Sequence, residues 1–92
     1  MKNVMITTEH RGVFLAQVDD DNDLTRKTLT DLYNVRMVIR WRNGQGLSYM
    51  ALHGPTLDCK LAPAIDWPVI HDVTSVAAVT DEAAAKIWGN EG

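Results

Sequence analysis

The stretch that decides the predicted fold is Val35-Arg36-Met37-Val38-Ile39-Arg40-Trp41-Arg42, in which apolar and basic residues alternate. A period of two is typical of a β-strand, because successive side chains point to opposite faces of the sheet. The alternation predicts an inward face with Val35, Met37, Ile39 and Trp41. It predicts an opposite face with Arg36, Val38, Arg40 and Arg42.

This strand is followed by a turn signal. Asn43-Gly44 is a dipeptide favoured in tight hairpin turns. Residues 47–52 are apolar enough to return as the second strand. The sequence therefore predicts a hairpin from residue 35 to residue 52.

Further strands are indicated on both sides of this hairpin. Residues 4–8 alternate weakly, and residues 13–18 form a continuous apolar run of strand length, so they predict a first hairpin. Residues 19–27 carry several acids and predict a solvated loop. Asn34 tolerates left-handed geometry and predicts a break or bulge. Residues 69–79 are rich in β-branched residues and favour a strand.

The C-terminal segment has the signals of a short helix. Thr80 is a suitable N-cap, and Asp81 and Glu82 place acids in the first turn, where the helix dipole favours them. Gly89 is a natural stop. We expect this helix to cap an open end of the sheet.

Together these elements predict a single domain over residues 1–92 that is mainly β. The expected architecture is a small, strongly bent sheet or an SH3-like barrel of about five strands with one short C-terminal helix. The alternative is a two-layer α+β arrangement.

Composition bounds the class of protein. The chain has 92 residues, a net charge of −3 and one cysteine, Cys59, so it forms no internal disulfide. The negative charge argues against a nucleic-acid coat, although nucleic acid is not excluded as a partner. No run approaches the roughly 18 apolar residues of a membrane span, and the N-terminus lacks the apolar core of a signal peptide. We expect a cytoplasmic protein with no membrane partner.

Several short segments are familiar in this order and spacing. They are Thr7-Thr8-Glu9-His10-Arg11-Gly12-Val13-Phe14, Asn34-Val35-Arg36-Met37-Val38-Ile39, Gly54-Pro55-Thr56, Asp72-Val73-Thr74-Ser75-Val76 and Val79-Thr80-Asp81-Glu82-Ala83. The chain thereby resembles an uncharacterised family of small tailed-bacteriophage and prophage proteins, known as a domain of unknown function. The resemblance implies a viral origin and a small accessory role in the host cytoplasm. It carries no catalytic residue.

Two polar groups are candidate ligand sites. Arg36, Arg40 and Arg42 present forked donors suited to phosphate or carboxylate, or else form a solvated face that pairs with the acidic loop. His10 and Arg11, at a turn before Gly12, offer cations that can hold an anion, and His53 is a further candidate beside them. Ordinary turn chemistry explains this second group equally well.

The sequence gives little support for a catalytic site or a metal site. A calcium loop starting at Asp19 would need Gly where Leu24 stands and Glu where Thr30 stands. No paired spacing of Cys or His indicates zinc. A hydrolase using Cys59 with His53 or His71 is a minor alternative without a local signature. We expect no cofactor and no enzyme activity.

The sequence therefore favours an accessory binding protein that acts stoichiometrically. It would counter a host defence by blocking a host factor or by sequestering an anionic, nucleotide-like ligand. The alternative is a structural or assembly component of the phage particle. Exposed sheet edges also predict a homo-oligomer.

Overall fold

The computed structural model describes residues 2–9, 12–40, 47–54 and 59–89. Within these ranges the chain forms six strands and two helices, the second of which continues into one π-helical turn over Ala85–Gly89. The elements are β1 (Lys2–Thr8), β2 (Val13–Val18), β3 (Leu29–Arg40), α1 (Leu47–His53), β4 (Lys60–Leu61), β5 (Ile65–Ile70), β6 (Val73–Ala78) and α2 (Asp81–Ala84).

The strands form one antiparallel sheet that curls without closing. Its order is β4-β3-β2-β1-β6, and β5 pairs with β3. Only His71 and Asp72 separate β5 from β6, so the two ends of the sheet are brought together at this turn. In the described part of the chain no ladder joins β5 to β6. The prediction of a mainly β, bent sheet is confirmed, with six described strands rather than about five and without barrel closure.

Both faces of the sheet are covered by apolar side chains. The concave cluster consists of Val4, Ile6, Phe14, Ala16, Val18, Leu29, Leu32, Val35 and Ile70. The convex cluster consists of Met5, Val13, Leu15, Val38, Met50, Ala51, Val79, Ala83 and Ile87. Because its side chains enter both clusters, β2 is buried on both sides, as its apolar residues, interrupted only by Gln17, indicate.

Two left-handed residues set the phase of β3. Asp31 has φ 56° and Asn34 has φ 50°, and the ladder to β5 is irregular between Leu32 and Val35. The register shift between Leu32 and Val35 moves the alternation by one residue there, whereas Asp31 interrupts it through its backbone conformation without a shift in the ladder. Leu29, Leu32 and Val35 therefore all reach the concave cluster at a spacing of three. The predicted bulge at Asn34 is confirmed.

The predicted inward face of β3 is wrong beyond Val35. Met37 and Ile39 are 39% and 54% exposed, whereas Val38 is buried in the convex cluster. The helices cover the convex face at this level, and the concave cluster ends at Val35. Trp41 lies outside the described residues.

The predicted return strand of the second hairpin is also wrong, because residues 47–53 form helix α1. Leu47, Met50 and Ala51 have the i, i+3, i+4 spacing of a helix face, and Met50 and Ala51 are buried in the convex cluster. The helix ends at Gly54, which has φ 85° and donates its N–H to the Met50 carbonyl at 2.9 Å. The expected Asn43-Gly44 turn lies outside the described residues.

The C-terminal helix begins where expected but packs elsewhere. The Thr80 hydroxyl accepts a hydrogen bond from the Ala83 N–H at 3.2 Å, so the predicted N-cap is confirmed. Ala83 and Ile87 are buried in the convex cluster. The helix therefore covers the convex face rather than an end of the sheet.

The strand expected over residues 69–79 is divided in two. Asp72 takes φ 57° at the turn between β5 and β6.

Among the described residues, no helix is long and apolar enough to cross a membrane.

Candidate functional site

Strand β6 has one paired edge and one open edge. The Val79 N–H donates to the Asn3 carbonyl at 2.9 Å, and in the register with β1 Ala77 lies opposite Met5. Hydrogen-bonded pairs alternate with non-bonded pairs along an antiparallel ladder. The backbone N–H and C=O of Ala77 therefore point toward β1, whereas those of Val76 and Ala78 point away from β1. In the described part of the chain no backbone group pairs with the outward groups of these two residues.

A groove of about 460 Å³ runs along this open edge. Val76 and Ala78 lie opposite Ile6 and Val4 in the ladder, so their side chains point to the concave side of the sheet. Leu24 and Thr25, from the loop between β2 and β3, line the groove as well. Its volume lies within the roughly 300–1,000 Å³ of typical ligand sites.

The loop that carries Leu24 is held in place at several points. The Lys27 carbonyl accepts the Val73 N–H at 2.8 Å, and the Asn22 side chain donates to the Thr30 carbonyl at 2.9 Å. Leu24 packs against the concave cluster. These contacts fix the loop against the sheet, so it forms a stable second wall of the groove.

Within the same loop Asp23 organises a tight turn. Its carboxylate accepts hydrogen bonds from the Thr25 hydroxyl at 2.6 Å and the Thr25 N–H at 3.0 Å. These two bonds, with a smaller contribution from the charge of Arg26, hold the pKa of Asp23 below its ordinary value. The carboxylate stays ionised and keeps the turn beside Leu24.

The sequence of β6 lacks the features that usually protect an open edge. Val73-Thr74-Ser75-Val76-Ala77-Ala78 contains no charged residue and no proline. Natural edge strands commonly carry such residues because an unprotected edge pairs readily with another strand. The open edge is chemically suited to accept an extended backbone.

Arg36, the first member of the predicted arginine face, is engaged within the fold. It is half-buried, its Nε donates to the Ala62 carbonyl at 2.8 Å, and its Nη1 donates to the Ile87 carbonyl. The guanidinium thus joins the sheet to the C-terminal helix.

His53, the other predicted ligand residue within the described chain, bridges the two helices. Its Nδ1 lies 2.8 Å from a carboxylate oxygen of Glu82, and both side chains are about half exposed. The hydrogen bond from His53 is the main cause that lowers the pKa of Glu82.

The remaining predicted ligand residues are not placed. His10, Arg11 and Arg42 lie outside the described residues, and Arg40 ends β3 with its side chain outside that description. Their proposed role as an anion site stays a prediction.

The surroundings of Cys59 do not support the minor alternative, a hydrolase that uses this cysteine. Cys59 is half-buried and packs against the convex cluster. His71 lies at the β5–β6 turn, where its Nδ1 is 3.4 Å from the Thr28 hydroxyl. Over the described ranges no group of three His, Cys, Asp or Glu side chains is placed to hold a metal ion.

Sequence reasoning missed the groove because its walls are distant in the chain. Two local signals point to it in retrospect. Leu24 is the one apolar residue within the acidic stretch 19–27, and β6 is an uncharged strand of six residues.

Comparison with known proteins agrees with the resemblance seen in the sequence, as far as an uncharacterised family. No curated protein and no solved structure matches the chain. A family model described as a domain of unknown function (DUF6948) matches residues 1–87. Since this match covers nearly the whole sequence, the chain belongs to the DUF6948 family.

Proposed function

We propose that this protein acts stoichiometrically as a binding protein and that another protein docks in the groove beside β6. The observation that carries this proposal is the open edge at Val76 and Ala78, which lies in a partly apolar groove with a fixed second wall. Unpaired backbone groups next to apolar side chains suit a protein partner, because such a partner supplies both hydrogen bonds and apolar contact.

The resemblance to small phage and prophage proteins supports a setting for this activity. In that setting the protein acts in the cytoplasm of an infected bacterium as an accessory factor, and it counters a host defence by occupying a host protein. Binding one partner at one groove requires no catalytic group and no cofactor.

A matched pair of substitutions tests this proposal. Ala77 and Ala78 are adjacent exposed alanines of β6, but only Ala78 lines the groove. Ala78→Glu places a charged side chain in the groove, and Ala77→Glu places the same charge on the opposite face. Tagged protein is used to isolate partners from bacterial lysate, and any enriched protein is purified and titrated against each variant. We expect Ala78→Glu to abolish binding and Ala77→Glu to retain it. Equal binding by the two variants would contradict docking in the groove.

Sequestration of an anionic ligand ranks second. The hypothesis of an anionic ligand rests on the arginine face. Arg36 of this face already donates hydrogen bonds to two backbone carbonyls, which leaves fewer donors for a ligand. A thermal-shift screen against nucleotides and cyclic dinucleotides tests it, since a ligand at a hundredfold excess over its Kd adds about 2.7 kcal/mol of stability. A stabilisation that disappears in the Arg36, Arg40 and Arg42 triple alanine variant would favour this second function.

Self-association is a separate proposal and rests on another surface. Met37, Ile39 and Ile65 are 39%, 54% and 55% exposed at the end of the concave face. A two-fold contact brings the same residues of two copies together, so an uncharged apolar surface favours it. We expect light scattering to show an oligomer that Ile39→Asp converts to a monomer. A monomeric wild-type protein at all accessible concentrations would contradict this.

A further inference from the structure

We infer that the occupant of the groove is a single extended segment of the partner, which adds to β6 as a further strand. This inference rests on the proposed function and specifies how the partner binds. It follows from the hydrogen-bonding pattern of β6, the second wall of the groove and the side chains between them.

The fold already forms the first contact of such a strand. At the start of the open edge, the Val73 N–H donates a hydrogen bond to the Lys27 carbonyl at 2.8 Å. Farther along the groove Leu24 and Thr25 of the same loop line it without a backbone hydrogen bond to β6, and Val76 and Ala78 are left without a backbone partner among the described residues. Each of these two residues offers one N–H and one C=O, so an incoming strand finds two donors and two acceptors in ladder geometry.

The second wall decides between an isolated strand and a second copy of this chain. Leu24 and Thr25 lie across the groove from β6. In a second copy the open edge of β6 has the same loop beside it. Pairing two β6 strands would therefore drive each loop into the other copy. A segment that brings no loop of its own, such as a terminus or an extended linker of another protein, enters the groove without this collision.

The lining predicts the side chains of that segment. The inward wall is apolar, with Val4, Val76 and Ala78 facing Leu24, whereas Lys2 and Asp81 lie among the polar lining residues. Side chains of a strand alternate between faces, so the segment carries apolar residues at every second position. The two charged lining residues have opposite signs, so we expect uncharged polar residues or charges of both signs, and no run of like charge, next to the apolar positions.

A displayed library of random heptapeptides is the probe for this inference. The library is selected against the wild-type protein, and the enriched peptides are synthesised and titrated against two variants. Ala78→Pro removes the outward N–H and places the proline ring where the added strand would lie. It leaves the hydrogen bonds to β1 intact, because the Ala78 N–H points away from β1. Ala78→Ser keeps the N–H and is the matched control.

We expect the enriched peptides to have apolar residues at alternate positions. Their Kd should rise at least tenfold in Ala78→Pro and stay within about threefold of wild type in Ala78→Ser. Circular dichroism of both variants is used to check that they remain folded. No enrichment, or enriched peptides that bind wild type and Ala78→Pro equally well, would overturn the inference. So would a wild-type dimer that Ala78→Pro dissociates, because the edge would then be occupied by a second copy.

The failure of this inference can be told apart from that of the proposed function. A partner protein that Ala78→Glu releases but Ala78→Pro retains docks in the groove through side chains alone. In that case the proposed function stands and strand addition is wrong. A partner that Ala78→Glu also retains docks elsewhere, and the proposed function itself fails.

Discussion

Substitution of Arg36 by methionine distinguishes a structural arginine from a ligand-binding one. The half-buried guanidinium donates to the carbonyls of Ala62 and Ile87. A hydrogen bond from a charged donor contributes about 1.5–3 kcal/mol when buried, and partial exposure reduces this. Losing both bonds should lower the free energy of unfolding by about 2–4 kcal/mol. For a domain of this size that corresponds to a fall in Tm of about 10–25 °C.

The assay is urea denaturation followed by tryptophan fluorescence, with Arg26→Met as the control. Arg26 is 75% exposed and pairs with Asp23 at 3.5 Å, and exposed pairs of this kind contribute about 0–1 kcal/mol. The control should therefore change stability little. If Arg36→Met also unfolds within about 0.5 kcal/mol of wild type, the structural role assigned to Arg36 is refuted.

Three further predictions concern packing, the β6 ladder and pH. Ile87→Ala should cost about 2–5 kcal/mol because Ile87 is fully buried, whereas Ile65→Ala, at a 55% exposed position, should cost far less; chemical denaturation compares them. Ala77→Pro should lower the free energy of unfolding by about 1–3 kcal/mol more than Ala78→Pro, because only the first loses a ladder hydrogen bond; equal stabilities would contradict this assignment, and a larger loss in Ala78→Pro would show that it is reversed. Since His53 lowers the pKa of Glu82 in the folded state, this carboxylate stabilises the fold above its ordinary pKa, and the contribution is lost as pH falls through the lowered value. The stability difference between wild type and Glu82→Gln should accordingly shrink as pH falls from neutral through the lowered pKa, and a difference that stays constant would count against this pair.

Local chemistry made part of the fold predictable. The bounds of β2 were predictable from its nearly continuous apolar sequence, because a strand covered on both faces needs no alternation. Thr80 was identifiable as an N-cap, and Asn34 as a bulge, because each depends on the conformational preference of one side chain.

Other features depended on contacts distant in sequence. Residues 47–52 fit either a strand or a helix, and burial of Met50 and Ala51 against the convex cluster favours the helix. Which face of β3 is covered was likewise decided by packing, so Met37 became exposed and Val38 buried. A pattern within one segment cannot show what another segment will cover.

The candidate site was the least predictable part. Arginines at period-two spacing indicated a ligand face, but the fold uses Arg36 to join the sheet to the C-terminal helix. The groove at β6 exists because the sheet curls without closing, and closure depends on the relation of β5 to β6. No local motif encodes that relation.

Amide hydrogen exchange of β6, followed residue by residue by NMR in the free protein, tests the open edge most directly. The Val76 and Ala78 N–H groups point away from β1, whereas the Val79 N–H is bonded to the Asn3 carbonyl and Ala77 is paired in the same ladder. We predict that the amides of Val76 and Ala78 exchange faster than those of Ala77 and Val79 by about two orders of magnitude. Equal protection of all four amides would show that the edge is already occupied and would contradict the proposed binding site.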